Sequence, residues 1–257
     1  MKFKLFSVVS IVALMVIACS FKKSAPAPVK TTGTFEPVAV IELFTSQGCS
    51  SCPPADALLS QTIADANKTG KKIFALSLHV DYWNRLGWTD PFSNTVFSAR
   101  QSSYVAAFGL DGAYTPQMVV NGSDQFVGSD NSSLSTALNN ALNTKATVSF
   151  TNLSASGNAD KTITVHYALA GNTDGNTIQF ALIALHETTV VKRGENGGHT
   201  LTNENIVRQL ISKKADAAGE VTFAASPLPE KSNMAIVAFV QKERGLKIIG
   251  AAMASIN

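Results

Sequence analysis

The sequence predicts an α/β domain followed by a mostly antiparallel, sandwich-like β domain. Two observations carry this prediction: strand-like and helix-like segments alternate up to residue 145, and short β-like runs separated by turns follow. Apolar residues make up 45% and charged residues 15% of the 257-residue chain, which excludes a disordered polypeptide. The formal net charge of +3 gives no electrostatic reason to expect a nucleic-acid partner.

The amino terminus has the features of a lipoprotein signal. Lys2 and Lys4 precede an apolar run over residues 5–18, which is too short for a comfortable membrane span. The run ends directly before Cys19, and this arrangement resembles the bacterial lipobox. The resemblance implies that residues 1–18 are removed as a signal peptide and that Cys19 is lipidated.

Residues 19–35 contain prolines, lysines and a glycine without periodicity, and we expect them to form a lipid-anchored tether. Ser20 follows the lipidated cysteine in place of an aspartate, which favours the outer membrane under the proteobacterial sorting rule. The protein is therefore expected in the bacterial cell envelope, facing the periplasm. Its expected membrane contact is the lipid anchor alone, because no later run is long and apolar enough to span a bilayer.

The first predicted domain, residues 36–145, alternates between strands and helices. Residues 38–44 and 73–80 are β-rich apolar runs, and residues 116–121 lead through an Asn-Gly turn to a hairpin partner at 125–128. Apolar residues at helical spacing predict helices over 55–67, 92–108 and 132–143. This order indicates a sheet with a parallel part that helices cover.

The second predicted domain, residues 146–257, is rich in β-like runs. Turns with Gly, Asn and Asp separate them, which is typical of antiparallel pairing. The predicted strands are residues 147–153, 161–169, 177–187, 219–225, 233–241 and 246–254. Residues 205–212 fit either a helix or a strand.

Cys49 and Cys52 form a CxxC pair, the spacing found in redox motifs. The pair follows a buried strand and precedes a helix that opens with Pro53-Pro54. At that place the helix dipole and the free backbone N–H groups favour a thiolate over a thiol. We expect Cys49 to be the exposed nucleophile and Cys52, one helical turn in, to be the shielded resolving thiol.

The order of elements and the CxxC after the first strand resemble the thioredoxin-like superfamily. Thr115-Pro116, at the start of the third strand, is a second mark of that resemblance. It implies that Pro116 has a cis peptide bond and faces the CxxC, while Thr115 offers its backbone to a substrate strand. Glu42, within the first strand, is expected to relay a proton at the resolving cysteine, the alternative being a structural carboxylate with a partner.

Four segments carry a more specific resemblance. They are ELFTSQGCSSCPPAD at residues 42–56, HVDYWNRLGWTDPF at 79–92, YTPQMVVNG at 114–122 and RGENGGHTL at 193–201. Together they resemble the DUF1223 family, bacterial secreted proteins of unassigned function with a thioredoxin-like fold. The resemblance covers about residues 36–255 and implies the fold without supplying a substrate.

Polar and aromatic residues follow the second strand at its carboxyl end, the edge where ligands bind in open α/β sheets. We expect His79, Asp81 and Trp83 to line a substrate site with Thr115. The alternative is that His79 and Asp81 fix the long loop through hydrogen bonds, and that Trp83 pins it. The Gly-rich loop at residues 193–199 either folds back over the redox site or forms a surface turn.

The sequence therefore predicts an extracytoplasmic thiol–disulfide oxidoreductase that acts through Cys49 and Cys52. Its expected partners are a protein or small thiol substrate and a redox partner protein, with no cofactor. The direction of electron flow stays open, although the two serines between the cysteines add no positive charge and disfavour a very strong oxidant. One alternative is a soft-metal protein that binds copper through Cys49, Cys52 and His79. Another is a scaffold in which the two cysteines form a structural disulfide.

Overall fold

The computed structural model describes residues 33–224 and 230–257. The predicted signal peptide, the lipidation site Cys19 and most of the predicted tether lie outside the described residues. Within the described ranges, no helix combines the length and the apolar character needed to cross a membrane.

The first half of the chain supplies the helices. They are α1 (Pro53–Thr69), α2 (Thr95–Phe108) and α3 (Asn131–Leu142). Its strands are β1 (Ala39–Thr45), β2 (Ile73–His79), β3 (Gln117–Val120) and β4 (Asp124–Val127). The second half contributes β5 (Val148–Gly157), β6 (Ile163–Gly171), β7 (Asn176–Val190), β8 (Thr200–Lys214), β9 (Ala218–Phe223), β10 (Met234–Lys242) and β11 (Ile248–Ser255).

Two elements differ from the sequence prediction for identifiable reasons. Helix α2 begins at Thr95, not at Phe92, because the Asn94 side chain caps it by accepting a hydrogen bond from the Val96 N–H. The undecided segment 205–212 is the middle of strand β8, whose pairing with β7 supplies the backbone hydrogen bonds that its mixed pattern did not reveal.

Eight strands form one mixed sheet in the order β11-β10-β7-β8-β2-β1-β3-β4, so the α/β class is confirmed. Strands β1 and β2 run parallel, while β3 runs antiparallel to β1. Strand β8 joins β2 in parallel through the Ser77–Ile206 pair, and the Asn205 amide donates to the Ala75 carbonyl at 3.0 Å. Strands of both predicted domains therefore belong to the same sheet.

The sheet is covered on both faces. Helix α2 packs Phe97 and Tyr104 against β1, β2, β7 and β10, so it spans strands of both halves. On the opposite face, α1 and α3 cover β1 and β3, with Ile41, Leu43 and Leu59 in that core. The three-stranded sheet β5-β6-β9 covers β7 and β10 there, which gives the second half its sandwich-like part.

Candidate functional site

Cys49 and Cys52 lie between the end of β1 and the start of α1, and they form a disulfide with their Cα atoms 5.4 Å apart. Cys52 is the N-cap of α1, one position outside the first turn, not one turn in as the sequence predicted. Its carbonyl accepts hydrogen bonds from the N–H groups of Ala55 and Asp56 at 2.9 and 3.1 Å. The pair therefore sits at the positive end of the helix dipole.

Both cysteines are completely buried, with 0% of each exposed. The expectation of an exposed Cys49 is therefore wrong for this disulfide form. The cause is a contact with a distant part of the chain, the loop that connects β7 to β8. We call this loop, residues 191–199, the hairpin tip.

The hairpin tip is fixed to the cysteine loop by hydrogen bonds. The Asn196 amide donates to the carbonyls of Gln47 and Cys49, both at 2.9 Å. The Glu195 carboxylate accepts a hydrogen bond from the Ser50 N–H at 3.0 Å. Of the two alternatives for the Gly-rich loop, the structure shows the one in which it folds back over the cysteines.

Trp88 and Gln47 support the hairpin tip from the side. The Trp88 indole N–H donates to the Gln47 side-chain oxygen at 3.4 Å, and the Gln47 amide donates to the Asn203 side chain at 3.0 Å. Gly194 has φ +76°, and a Cβ at this position would lie 3.1 Å from the Trp88 Cβ. Glycine is thus required here both by the left-handed backbone and by the close approach.

Trp83 links the Thr115-Pro116 segment to the cysteine loop. The peptide bond between Thr115 and Pro116 is cis. The Trp83 indole N–H donates to the Thr115 hydroxyl at 2.7 Å, and a Cβ at Gly48 would lie 3.3 Å from the Trp83 Cβ. Trp83 and Thr115 are half-buried, so these two predicted substrate residues are brought together beside the disulfide.

His79 and Asp81 both make structural hydrogen bonds in the loop after β2. His79 is fully buried and its Nδ1 lies 2.7 Å from the Asp90 carboxylate, which also accepts the Gln47 N–H at 2.8 Å. The Asp81 carboxylate accepts a hydrogen bond from the Ser98 hydroxyl on α2. The expected role in lining a substrate site is wrong for His79, which is fully buried and holds the loop, as the structural alternative stated. Asp81 makes the same kind of structural hydrogen bond but is half-buried, and its place in a substrate site stays a prediction.

The ion pair of His79 and Asp90 changes how both groups titrate. Burial alone would lower the pKa of His79, but the charge of Asp90 and the hydrogen bond to it raise that pKa overall. Burial alone would raise the pKa of Asp90, but the charge of His79 and the hydrogen bonds it accepts lower it overall. The histidine therefore tends toward its charged form.

Asp56 is a buried carboxyl that the sequence reasoning missed. It lies on α1 four residues after Cys52, and its Oδ2 accepts a hydrogen bond from the Thr45 hydroxyl at 3.2 Å. Burial raises the pKa of Asp56 to about 7, despite the opposing charge of His79. The available signal was its spacing: residues four apart share a helix face.

The predicted proton-relay role of Glu42 is wrong, because strand alternation points its side chain away from the cysteines. Successive side chains of a strand point to opposite faces, so Glu42 shares the α2 face with Val40 and Phe44 and points away from α1. Its carboxylate is paired with the Arg100 guanidinium and the Tyr104 hydroxyl. Glu42 is thus a partnered structural carboxylate and not the expected relay to the resolving cysteine.

In the disulfide, both sulfurs are bonded to each other, so they offer no thiolate to a metal. Across residues 33–224 and 230–257, no group of three or more His, Cys, Asp or Glu side chains is placed to hold a metal ion.

The fold and the site together define a mixed α/β protein with a covered CxxC disulfide at a strand–helix junction. The family model described as "Protein of unknown function (DUF1223)" matches residues 40–241, and the chain belongs to this family. A protein from Agrobacterium tumefaciens with a known crystal structure is 29% identical in sequence to this chain, and the two structures superpose with a TM-score of 0.64. The match covers 85% of this chain and 94% of that one.

A domain of the outer membrane lipoprotein Omp28 from Porphyromonas gingivalis is 20% identical, with a TM-score of 0.27. That match covers 44% of this chain and 89% of that domain. No curated protein matches the chain.

Proposed function

We propose that this protein is a thioredoxin-like thiol–disulfide oxidoreductase of the bacterial cell envelope, acting through Cys49 and Cys52. The observation that carries the proposal is the position of the disulfide, between the parallel strand β1 and the amino end of α1. A helix N-terminus stabilises a thiolate, which is the attacking and leaving species in disulfide exchange. The Thr115-Pro116 segment beside the same loop supports the proposal.

In the reaction, a thiolate of a dithiol substrate attacks the Cys49 sulfur. The disulfide breaks, and the Cys52 sulfur leaves with the bonding electron pair. The second thiolate of the substrate then displaces Cys49, so the substrate becomes a disulfide and the protein a dithiol. The same steps in reverse reduce a substrate disulfide, and a redox partner protein restores the starting state in either direction.

The buried disulfide requires the hairpin tip to move before a substrate reaches the sulfurs. Asn196 and Glu195 hold the tip to the cysteine loop through three hydrogen bonds. Each such bond contributes about 1 kcal/mol net, so local opening costs only a few kcal/mol. The protein is thus proposed to alternate between a covered and an open state.

The cell-envelope location rests on the lipobox that ends at Cys19. We propose that a lipid on this cysteine is the protein's contact with the membrane. Incorporation of labelled palmitate in wild type, and its loss in Cys19→Ala, would support the anchor; equal labelling of both would refute it.

The central experiment is the reduction potential of the Cys49–Cys52 pair in the purified full chain, measured in dithiothreitol and glutathione buffers. We expect a potential above about −300 mV, the range of exchangeable disulfides. We also expect catalysis of insulin reduction by dithiothreitol, and its loss in Cys49→Ser.

Two results would overturn the proposal. A potential below about −300 mV with no turnover would mark a structural disulfide. Stoichiometric copper held by the reduced chain, again without turnover, would favour the soft-metal alternative.

A further inference from the structure

The hairpin tip holds a negative charge next to Cys49. The Glu195 carboxylate accepts a hydrogen bond from the N–H of Ser50, the residue that follows Cys49, at 3.0 Å. Hydrogen bonds from Ser50 lower the pKa of Glu195, so its carboxylate is charged at neutral pH. Covalent geometry then keeps this carboxylate oxygen within about 8 Å of the Cys49 sulfur, a separation at which salt screens only part of the interaction.

The tip also contacts the backbone of Cys49 itself. Asn196, the residue after Glu195, donates to the Cys49 carbonyl at 2.9 Å, and Cys49 is completely buried in this arrangement. A disulfide is neutral, so its burial removes no charge from water. The closed tip is therefore suited to the oxidised form of the pair.

Reduction changes the charge at this place. A thiolate at Cys49, which the helix dipole favours, is a second negative charge at the end of α1 where Glu195 already lies. Burial of a charge is costly and like charges repel, so both effects oppose the closed tip. Pro53 and Pro54 sharpen the competition, because they contribute no N–H group to this end of the helix.

We propose that the hairpin tip closes over the disulfide and opens when the pair is reduced, and that the protein therefore donates electrons to substrate disulfides. Glu195 is a positioning residue, since it acts on the Cys49 sulfur through its charge and through the tip. This inference rests on the proposed function and adds the direction of electron flow, which the sequence left open.

Thermodynamic linkage gives that direction. If the tip closes more tightly on the oxidised form, closing shifts the redox equilibrium toward the disulfide by the same factor. The dithiol is then a stronger reductant than it would be without the tip. The open reduced form presents Cys49 to a substrate, whereas the closed oxidised form shields it from thiols that do not displace the tip.

The reaction in this direction balances without a cofactor. The Cys49 thiolate attacks one sulfur of a substrate disulfide, and the other sulfur leaves as a thiolate with the bonding electron pair. Cys52 loses its proton to solvent and attacks the Cys49 sulfur, which releases the second substrate thiolate and restores the disulfide. Two electrons pass to the substrate, the released thiolates take protons from solvent, and a dithiol of the redox partner protein later returns two electrons.

The other ionisable groups of the tip are not fixed at the cysteine loop. Lys192 and Arg193 are exposed, and neither forms an ion pair within residues 33–224 and 230–257. His199 is exposed as well, and its Nδ1 lies 3.2 Å from the Asn196 carbonyl inside the tip. The charge that a hydrogen bond fixes at the cysteine loop is thus that of Glu195.

The first test follows the tip in wild-type protein. Hydrogen exchange of the Ser50 amide would be measured by NMR in the oxidised and the reduced full chain. We expect exchange to be about tenfold faster, or more, after reduction, because the Glu195 acceptor leaves. The Asn121 N–H, which donates to the Val40 carbonyl near the start of β1, should exchange equally in both forms. Equal protection of Ser50 in both forms overturns the inference and leaves the proposed function standing.

Glu195→Gln tests the charge, because glutamine keeps an acceptor for the Ser50 N–H. We expect the equilibrium constant for reduction by glutathione to rise about threefold to tenfold, or about 15–30 mV for a two-electron couple. The effect of reduction on Ser50 exchange should fall by about threefold or more. Both changes should shrink at about 1 M salt, where the screening length is about 3 Å.

Glu243→Gln is the matched control, because it removes the same charge from another exposed glutamate. Glu243 follows β10, whose Lys242 pairs with Asn176 at the start of β7, while the hairpin tip follows the other end of this 15-residue strand. Its equilibrium constant and its Ser50 exchange should equal those of wild type. If Glu195→Gln equals this control in both measurements, the inference is overturned and the proposed function stands.

The direction of electron flow is tested by single-turnover reactions of the full chain. We expect the reduced chain to reduce insulin disulfides, and the oxidised chain to leave the thiols of reduced ribonuclease unchanged. Oxidation of ribonuclease without reduction of insulin overturns the inference and still supports an oxidoreductase. A chain that carries out neither reaction overturns both the inference and the proposed function.

Discussion

Asp56 should make the stability of the fold depend on pH. Its pKa is raised from 3.8 to about 7, so the folded chain keeps a proton that the unfolded chain releases. The free energy of unfolding therefore falls as the pH rises from about 4 to about 7. His79, whose pKa is also raised, extends this loss to higher pH, since its stabilising effect disappears as the pH passes its folded pKa.

Asp56→Asn removes the carboxyl at little change in volume and should flatten this pH dependence. At about 1.4 kcal/mol per pKa unit, we expect the variant to avoid a loss on the order of a few kcal/mol between pH 4.5 and pH 8. Urea unfolding at the two pH values measures it. An equal decline in wild type and variant would contradict the assignment to Asp56. Asp65→Asn is the matched control, because Asp65 lies on the same helix but is exposed.

Glu42→Gln should lower the stability of the fold without changing disulfide reduction, which tests whether this carboxyl is only structural. The substitution removes the only carboxylate paired with the buried Arg100 charge among the described residues, although Gln241 and Tyr104 still accept hydrogen bonds from it, and should cost up to about 3–5 kcal/mol in urea unfolding. Because Glu42 faces α2, we expect the reduction potential and the pH profile of disulfide reduction to stay as in wild type. A changed profile in this variant would instead support the predicted role of Glu42 as a proton relay at the resolving cysteine.

At the scale of elements, we expect the hairpin tip to control access to the sulfurs. Asn196→Ala removes two hydrogen bonds to carbonyls of the cysteine loop, at about 1 kcal/mol each. We expect dithiothreitol to reduce the disulfide about tenfold faster, or more, because the open state becomes more populated. Stopped-flow measurement of the released thiols gives the rate.

Asn158→Ala is the matched control for that prediction. Asn158 also donates two side-chain hydrogen bonds, to Thr162 and Thr164, but it is exposed at the β5–β6 turn. Its rate should equal that of wild type. If Asn196→Ala is no faster than this control, opening of the tip does not limit access.

The whole molecule should unfold as one unit, because its two halves share a sheet and a core. Helix α2 packs on β7 and β10 as well as on β1 and β2, and the Gln241 amide on β10 donates to the Tyr104 hydroxyl at 2.9 Å. Unfolding followed by the fluorescence of Trp83 and Trp88 should coincide with unfolding followed by far-ultraviolet circular dichroism. Two separate transitions would instead indicate independent domains.

Local patterns in the sequence predicted most elements of this fold, since short-range periodicity is set by the residues themselves. The α1 boundary is clear from its opening prolines and from Gly70, which ends the helix with φ 66°. The joining of β8 to β2 was not predictable in this way. It depends on one strand pair and on the Asn205 amide, between residues about 130 positions apart.

The sequence predicted which residues form the candidate site, but it did not predict that Cys49 is buried. The CxxC pair, the Thr115-Pro116 segment and Trp83 are signalled by local motifs, and the structure brings them together. The cover over Cys49 arises from Asn196, 147 residues further along the chain. The face to which Glu42 points follows from the strand register, which becomes certain only once the neighbouring helices are placed.

The cover should also affect which reagents reach the disulfide. A sulfur pair that the hairpin tip covers completely should react more slowly with small thiols and oxidants than an exposed pair would. We therefore expect its redox state to depend on encounters with proteins able to displace the loop as well as on the potential of the compartment. Selectivity would then come first from a partner's ability to displace the hairpin tip, and only second from differences in sulfur chemistry.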